Sequence, residues 1–262
     1  MVGPSLVIRI RGLTKRYGDV EAVAGIDLDV PSGTLTGVLG PNGAGKSTTL
    51  RMLTGMLTPT SGTIEVHGID VVRDPIAVKR ITGYVPESGA VFETLTGQEY
   101  LTLVAELYRL PVADATARAR QLGELFQLDQ RLLEQEQLST YSKGTRQKVV
   151  IISALLHRPQ VVLFDEPLNG LDANATLAFK TLVTTLAHEG ATILYCSHLL
   201  DIVERVCERV LVLSRGRIVA DGSAGELLAQ TGERTLEAAF TRLTATEGLA
   251  ARAQLLARAL TQ

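Results

Sequence analysis

Hydrophobic and polar positions along this chain form two patterns, short apolar runs and longer amphipathic stretches. The short runs are rich in β-branched residues and end near glycine or proline, which predicts strands. These strands are predicted at residues 6–10, 28–30, 34–39, 62–66 and 81–85. Residues 46–53 have a helical pattern between the third and fourth strands. The N-terminal part of the chain is therefore predicted to combine strands and helices as an α/β domain does.

The pattern changes to helix over residues 88–157. Thr96 and Glu99 form the sequence pattern of a capping box, which predicts a helix that continues to about Tyr108. A second helix is predicted over residues 113–126 and a third over residues 143–157, with Ser142 as its N-cap. Because this segment contains little strand, we interpret it as a helical insertion into an α/β domain.

The alternation of strand and helix resumes after the insertion. Residues 161–164 and 191–196 are continuous apolar runs, which are typical of parallel strands that are buried on both faces. Further helices are predicted at residues 174–187, 199–206 and 224–229, and a hairpin at residues 210–213 and 217–220. Beyond residue 230 the chain is rich in Ala, Leu, Arg and Thr, and residues 231–262 are predicted to form a helical extension.

Length and composition narrow the class of protein. A chain of 262 residues, of which 45% are hydrophobic, can form one large domain or two small ones with a sizeable core. The net charge of −2 gives no reason to expect nucleic acid as a partner. Two cysteines are too few for a disulfide framework, so reduced thiols in a cytosolic compartment are expected. No signal peptide or membrane-spanning run is evident, although a chain of this kind can still sit on a membrane protein.

The first chemical motif follows the third predicted strand and opens the helix at residue 46. It reads Gly40-Pro41-Asn42-Gly43-Ala44-Gly45-Lys46-Ser47 and fits G-x-x-x-x-G-K-[ST]. The glycines let backbone N–H groups surround phosphate oxygens, and the helix N-terminus adds a partial positive charge. We expect Lys46 to reach the β- and γ-phosphates, the Ser47 hydroxyl to bind Mg²⁺, and Thr48 to lie beside the nucleotide. A glycine-rich turn with a chance lysine is the alternative, but it does not explain the flanking strand and helix.

The second motif consists of two acids at the end of a buried strand. Asp165 and Glu166 follow the apolar run of residues 161–164, and open parallel sheets bind ligands at this end of their strands. We expect Asp165 to hold Mg²⁺ through water and Glu166 to act as general base on the attacking water. Without a phosphate loop in the same chain, it would be equally reasonable to interpret Asp165 and Glu166 as acids that merely face solvent at the end of a strand.

With both motifs in place, the chain resembles the nucleotide-binding subunit of an ATP-binding-cassette (ABC) transporter from about residue 6 to about residue 230. The resemblance implies a P-loop NTPase core, a mixed sheet flanked by helices, formed by residues 1–87 and 158–230. It also implies an antiparallel β subdomain in the N-terminal part and an α-helical subdomain at residues 88–157. ATP and Mg²⁺ are the cofactors that the resemblance implies.

The family pattern assigns roles to further residues of this chain. Tyr17 matches the aromatic residue that stacks on adenine, and a tyrosine before a turn is the alternative. The family signature, usually L-S-G-G-Q, is replaced here by Tyr141-Ser142-Lys143-Gly144-Thr145. Ser142 and Gly144 are retained, and the resemblance implies that they contact the γ-phosphate of ATP held by a partner subunit. This form of the signature is similar to that of exporter ATPases that pair with separate two-subunit permeases.

Three more residues lie where the family has functional ones. Glu87 stands where glutamine is usual and is expected to contact Mg²⁺ or the attacking water. His198 matches the histidine that hydrogen-bonds the γ-phosphate and that water. Asp172 matches the end of a loop that reaches across the dimer, and it can also cap the helix that follows it. The remaining histidines, His67, His157 and His188, are interpreted as structural or solvated, and Cys196 and Cys207 as small packing residues.

The resemblance also implies partners and a location. Two copies of the chain, or one copy and a homologous subunit, would close head-to-tail around two ATP molecules and drive a membrane permease from the cytoplasmic face. Phe92, Leu95 and Tyr100 are either permease contacts or core residues. The alternatives are an ATPase for a soluble process such as cluster assembly, and a regulatory sensor that barely hydrolyses ATP. Complete catalytic motifs argue against the sensor.

Overall fold

The computed structural model describes residues 5–244, and two sheets form its frame. The strands in this part of the chain are β1 (Leu6–Tyr17), β2 (Val20–Pro31), β3 (Leu35–Leu39), β4 (Ser61–Val66), β5 (Ile69–Asp70), β6 (Thr82–Val85), β7 (Val161–Asp165), β8 (Thr192–Cys196), β9 (Arg209–Ser214) and β10 (Arg217–Gly222). One sheet has the order β2-β1-β4-β5 and is antiparallel. The other has the order β10-β9-β3-β8-β7-β6, and only its β9–β10 pair is antiparallel.

Helices of the described residues lie between and after these strands. They are α1 (Lys46–Leu53), α2 (Pro75–Ile81), α3 (Gly97–Leu107), α4 (Val112–Leu125), α5 (Gln130–Gln135), α6 (Lys143–Leu155), α7 (Ala173–His188), α8 (Leu200–Val206), α9 (Ala224–Thr231) and α10 (Leu236–Leu243). Between β6 and β7 the chain forms α3 to α6 and a 3₁₀ turn without a strand. The predicted C-terminal extension begins with α10, and the rest of it, residues 245–262, lies outside the described residues.

The N-terminal hairpin is longer than the sequence pattern predicts. β1 continues to Tyr17 and β2 starts at Val20, whereas the apolar runs predicted strands only at residues 6–10 and 28–30. The extra residues include the buried apolar Leu13, Val23 and Ile26, but Gly12 and Gly25 lie beside them and register shifts interrupt the pairing of the two strands. Cross-strand pairing with the whole of β2 and with β4 nevertheless keeps β1 extended.

The six-stranded sheet separates two hydrophobic clusters because successive side chains of a strand point to opposite faces. Val161 and Leu163 of β7 pack toward the antiparallel sheet and α1. Val162 and Phe164 pack toward the helices on the other face, where Phe164 lies edge-on to Phe179 of α7 with ring centroids 4.9 Å apart. The fully buried runs that predicted β7 and β8 are thus covered on both sides.

His157 joins the helical insertion to the sheet and is a structural residue, as the sequence predicts. Its ring is stacked on Tyr108 at a centroid distance of 3.8 Å, and its Nε2 lies 3.2 Å from the carbonyl oxygen of Thr82. Burial lowers the pKa of His157 to about 4. The imidazole is therefore neutral at pH 7.

Candidate functional site

A cavity of about 460 Å³ opens where the phosphate loop leaves β3 and enters α1. It is lined by residues 20–22 of β2, residues 42–48 of the loop and α1, Glu87, Asp165 and Glu166. Gly45 starts α1 with φ of 101°, a left-handed conformation that favours glycine. A Cβ at Gly45 would lie 2.5 Å from the carbonyl oxygen of Ala22, so the approach of β2 to the loop also requires glycine here.

Lys46 points back along the phosphate loop. Its ammonium donates hydrogen bonds to the carbonyl oxygens of Gly40, at 2.6 Å, and of Pro41, at 3.3 Å. The ammonium is a point charge on a flexible stem, and it is half-buried beside the cavity. The lysine is thereby held at the loop, ready to exchange carbonyl partners for the oxygens of a bound phosphate.

Asp165 ends β7 with its carboxylate buried at the cavity. Its two carboxylate oxygens are buried and have no hydrogen-bond partner among the residues that the structure describes. Burial raises the pKa of Asp165, and the nearby Ser47 hydroxyl and Lys46 ammonium oppose that rise. A buried carboxylate without a partner costs free energy, so its environment suits a bound cation.

The donor set here fits Mg²⁺. No three His, Cys, Asp or Glu side chains cluster as a metal site within residues 5–244. Mg²⁺ does not need such a cluster, because it is usually held by one or two carboxylates together with substrate phosphates and water. Asp165, Ser47 and Glu87 supply hard oxygen atoms at one end of this cavity, beside a loop whose backbone suits phosphate.

Glu166 and His198 form an ion pair or hydrogen bond at the same edge of the sheet. Nδ1 of His198 lies 2.8 Å from Oε2 of Glu166, and the backbone N–H of His198 donates to the same oxygen at 3.3 Å. Glu166 is buried, has φ of 51° and donates its backbone N–H to the carbonyl oxygen of Cys196. Such a backbone conformation is uncommon for a residue with a side chain and is often found at functional sites.

Tyr17 lies near the cavity without lining it. It is the last residue of β1 and pairs with Val20, which does line the cavity. Its side chain is 50% exposed, and the Lys15 ammonium lies 5.2 Å from its ring centroid. The ring therefore has a free face beside the cavity entrance.

Ser142 and Gly144 are not brought to the cavity of their own chain. The Ser142 hydroxyl caps α6 by accepting the backbone N–H of Thr145 at 3.1 Å, as the sequence predicts. A Cβ at Gly144 would collide with the carbonyl oxygen of Gly170, so the loop after Glu166 packs directly on the start of α6. This helix end and Gly170 are exposed or half-buried and form a free surface in one chain.

Two ion pairs around α6 were not predicted from the sequence. Lys148, whose side chain is only 12% exposed, lies 3.0 Å from Asp172, and Asp172 also caps α7 by accepting the N–H of Ala175. Arg146 lies 2.8 Å from Glu93 in the segment that follows Glu87. The sequence predicts that residues 146 and 148 belong to a helix, but it does not indicate which acidic residues their side chains contact.

The three candidate permease contacts differ in exposure. The side chain of Phe92 is 61% exposed, whereas Leu95 is half-buried. Tyr100 is partly buried and packs against the core cluster. The exposure of Phe92 fits a contact with another protein, whereas the packing of Tyr100 fits its interpretation as a core residue.

Comparison with known proteins identifies close relatives. The family model described as "ABC transporter" matches residues 23–169. The chain is 39% identical over 225 residues to the daunorubicin resistance ATP-binding protein DrrA3 of Streptomyces coeruleorubidus, covering 86% of this chain and 71% of the relative. A solved ATP-binding subunit of an ABC transporter is 32% identical, with a TM-score of 0.85 over 91% of this chain and 99% of its own. A dimeric bacterial ABC transporter cassette is 25% identical, with a TM-score of 0.76 over 82% and 98%.

The helices of residues 5–244 include none with the length and apolar character needed to span a bilayer. The free cysteines of this part, Cys196 and Cys207, are both buried, which agrees with their interpretation as packing residues.

Proposed function

The chain belongs to the ABC transporter family as an ATP-binding subunit, and from this premise we propose that its cavity binds and hydrolyses Mg²⁺-ATP to drive export through a separate membrane permease. The predicted fold class, a P-loop core with a mixed sheet and an antiparallel β subdomain, is confirmed by the solved cassettes. ATPase activity is the enzymatic function of this family.

The main support for the proposed site is that Asp165, Glu166 and His198 lie close together opposite the phosphate loop. β7 and β8 are neighbouring parallel strands, so Asp165 and Cys196 are register partners and the residues after them share one edge of the sheet. Glu166 and His198 are thereby placed in contact although 32 residues separate them. The same edge holds the phosphate loop, which follows β3 on the other side of β8 and ends at Lys46, the first residue of α1.

ATP binding is assigned to the loop and its neighbours. The backbone of residues 40–47 surrounds the phosphates, Lys46 releases the Gly40 and Pro41 carbonyls to bind phosphate oxygens, and the Tyr17 ring covers the adenine. Ser47, Asp165 and Glu87 hold the magnesium ion, directly or through water. When bound, this ion neutralises charge on the β- and γ-phosphates.

Hydrolysis is assigned to Glu166 with His198 as its partner. Glu166 accepts a proton from the attacking water, because a carboxylate positioned at the γ-phosphate can act as general base. The hydrogen bond from His198 fixes the orientation of this carboxylate, and the imidazole has a second nitrogen for the phosphate or the water. Lys46 stabilises the charge that develops on the phosphate oxygens.

A second subunit, another copy or a homologous ATPase, completes each site. Ser142 and Gly144 lie on the free helix end away from their own cavity, and we propose that they contact the γ-phosphate bound by the partner in a head-to-tail dimer. The dimeric cassette among the solved relatives supports this arrangement. We further propose that Phe92, which is exposed, contacts the permease and that the dimer lies on the cytoplasmic face of a membrane. The name of the drug-resistance relative favours export over a soluble assembly process.

Substitution of Glu166 by Gln tests the catalytic assignment. The amide keeps the size of the side chain but cannot accept the proton, so we expect turnover to fall by at least roughly 100-fold. ATP binding should persist and should trap a dimer. Phosphate release and size-exclusion chromatography with ATP measure the two effects. A variant that hydrolyses ATP at the unchanged rate would refute the role of Glu166.

The transport role is tested separately by purification from membranes. We expect a permease of several membrane spans to co-purify with the Glu166→Gln variant in the presence of ATP. Recovery with soluble partners alone would contradict export and favour an assembly process, while leaving the ATPase assignment intact.

A further inference from the structure

A second cavity, of about 710 Å³, lies at the end of the six-stranded sheet opposite to the nucleotide cavity. Pro159 and Gln160, which precede β7, and Ala191, which precedes β8, form part of its wall, whereas the nucleotide cavity is at the other ends of these strands. Helices α4, α6 and α7 supply the remaining walls, with the turn at His67 at the edge. The volume is within the range of about 300–1,000 Å³ that is typical of small-molecule sites.

The floor of this cavity is apolar. Leu155 and Val162 are buried at its base, and Leu122, Leu182 and Leu186 are half-buried along its sides. These side chains come from three helices and a strand, so they form one continuous apolar surface that an apolar ligand body can cover.

The rim of the cavity carries two arginines that form no ion pair within the described part of the chain. Arg118 of α4 and Arg158, which follows α6, both line it, and neither lies within ion-pairing distance of a carboxylate in the described part of the chain. Burial and the neighbouring Arg158 charge lower the pKa of Arg118, and the charge of Asp114, one turn earlier on α4, opposes this change. The two guanidinium groups therefore repel each other across this rim. Glu189 is the acidic group on the rim, and His67 is the other titratable one.

We propose that this cavity binds a small organic acid that carries one carboxylate on an apolar body. Among the residues that line the cavity, two arginines against one glutamate leave an excess of a single positive charge, which matches a monoanion, and the exposed Asp114 lies outside this lining. A carboxylate between Arg118 and Arg158 gains charge-assisted hydrogen bonds and relieves the repulsion of the two cations. The apolar body of the ligand covers the leucines of the floor. The ATPase mechanism uses none of these residues.

Calorimetric titration of the whole chain tests the two requirements of the site separately. The probes are decanoate, which has both the charge and the apolar body, decanol, which has only the apolar body, and acetate, which has only the charge. We expect decanoate to bind at least roughly tenfold more tightly than either of the others. Absence of decanoate binding, or equal affinity for decanol, would overturn the proposal.

Variants localise the binding to this cavity. We expect Arg118→Gln with Arg158→Gln to reduce decanoate affinity to that of decanol. The control is Arg120→Gln on the same helix, because Arg120 is 73% exposed, pairs with Glu124 and does not line the cavity. Arg158→Gln alone should weaken decanoate binding at least roughly threefold. Because Arg158 is exposed, this single variant is expected to fold and provides a test if the double variant misfolds. Unchanged affinity in folded variants would contradict the site.

Discussion

Asp165 shows at the scale of a single residue how a functional site departs from the rules of a stable core. Its carboxylate is buried and lacks a hydrogen-bond partner among the described residues, an arrangement that normally destabilises a fold. Glu166 beside it has a left-handed backbone conformation. Both features lie at the phosphate cavity, where the nucleotide and cation that we propose would compensate for them.

Substitution of Asp165 by Asn is expected to stabilise the free protein and inactivate it. Because burial raises the pKa of Asp165, the folded chain holds this proton more tightly than the unfolded chain. The contribution of Asp165 to stability is therefore lost as the pH rises above the ordinary pKa of 3.8. At pH 7 the free energy of unfolding of the Asp165→Asn variant should exceed that of the wild type by roughly 0.5–2 kcal/mol.

Urea denaturation at pH 7 without nucleotide measures the stability change, and phosphate release with Mg²⁺-ATP measures the activity. The control is Asp129→Asn, because Asp129 is the exposed N-cap of α5 and does not line the cavity. This variant should be slightly less stable and should hydrolyse ATP at the unchanged rate. A destabilised or fully active Asp165→Asn variant would contradict the assignment.

His157 gives a second prediction at this scale, on the pH dependence of stability. Its pKa is lowered from 6.5 to about 4 in the folded chain, so the unfolded chain binds a proton first as the pH falls. The contribution of His157 to stability is present above pH 6.5 and is lost progressively toward pH 4, by roughly 3 kcal/mol in total.

Substitution of His157 by Phe should retain the stacking on Tyr108 and remove this contribution to the pH dependence. Denaturation at pH 7.5 and pH 4.5 should therefore show a smaller loss of stability in the variant than in the wild type. His188→Gln, at an exposed position, is the control and should keep the wild-type dependence. An equal loss of stability between these two pH values in His157→Phe and the wild type would show that His157 is protonated as easily in the folded chain as in the unfolded chain.

At the scale of elements, α6 and the loop after Glu166 behave as one unit. Gly144 packs on Gly170, and Lys148 pairs with Asp172, which in turn caps α7. These contacts connect the helix end that is assigned to the partner's ATP with the loop that follows the general base. The Lys148 side chain is only 12% exposed, but Asp172 is 59% exposed, so water still screens part of this ion pair.

Substitution of Lys148 by Met tests this unit. Methionine retains the length of the side chain but not the charge, so we expect a small loss of stability and weaker ATP-dependent dimerisation in the Glu166→Gln background. Lys148→Arg keeps the charge and should dimerise at nearly the original ATP concentration. Dimerisation that is equally weak in both variants would mean that packing, and not the ion pair, positions the helix.

At the scale of the whole molecule, the proposed dimer requires each chain to contribute halves of two different sites. The phosphate cavity and the Ser142–Gly144 helix end do not meet within a chain, so neither is a complete ATPase site alone. We therefore expect the specific activity to rise with protein concentration, because the active species is a dimer.

A mixture of two inactive variants tests the shared site. Lys46→Ala removes the phosphate ligand, and Ser142→Asp keeps the N-cap of α6 but repels phosphate. In an equal mixture, half of the dimers are mixed and each contains one intact site, so at most roughly a quarter of the wild-type activity should return. Activity no higher than the mean of the two separate variants would exclude a site that is shared across the dimer.

Much of the fold and of the site was predictable because it depends on local patterns. The phosphate loop needs a strand, glycines and a helix start in succession, and the capping residues Thr96 and Ser142 act within one helical turn. The full length of the β1–β2 hairpin was missed, because glycines and register shifts interrupt its apolar pattern and cross-strand pairing keeps the strands extended through these interruptions. The short helices α2 and α5 were missed for a similar reason, since each has a single buried residue.

The sequence by itself determined which residues are candidates for the chemistry, because the motifs around Lys46, Asp165 and His198 are each continuous in the chain. Only the tertiary structure decided what these residues contact. The pairing of β7 with β8 joins Glu166 to His198, and the return of β2 places Ala22 against Gly45. Contacts of this kind depend on strand order and on loop paths across long sequence separations, which no local pattern encodes.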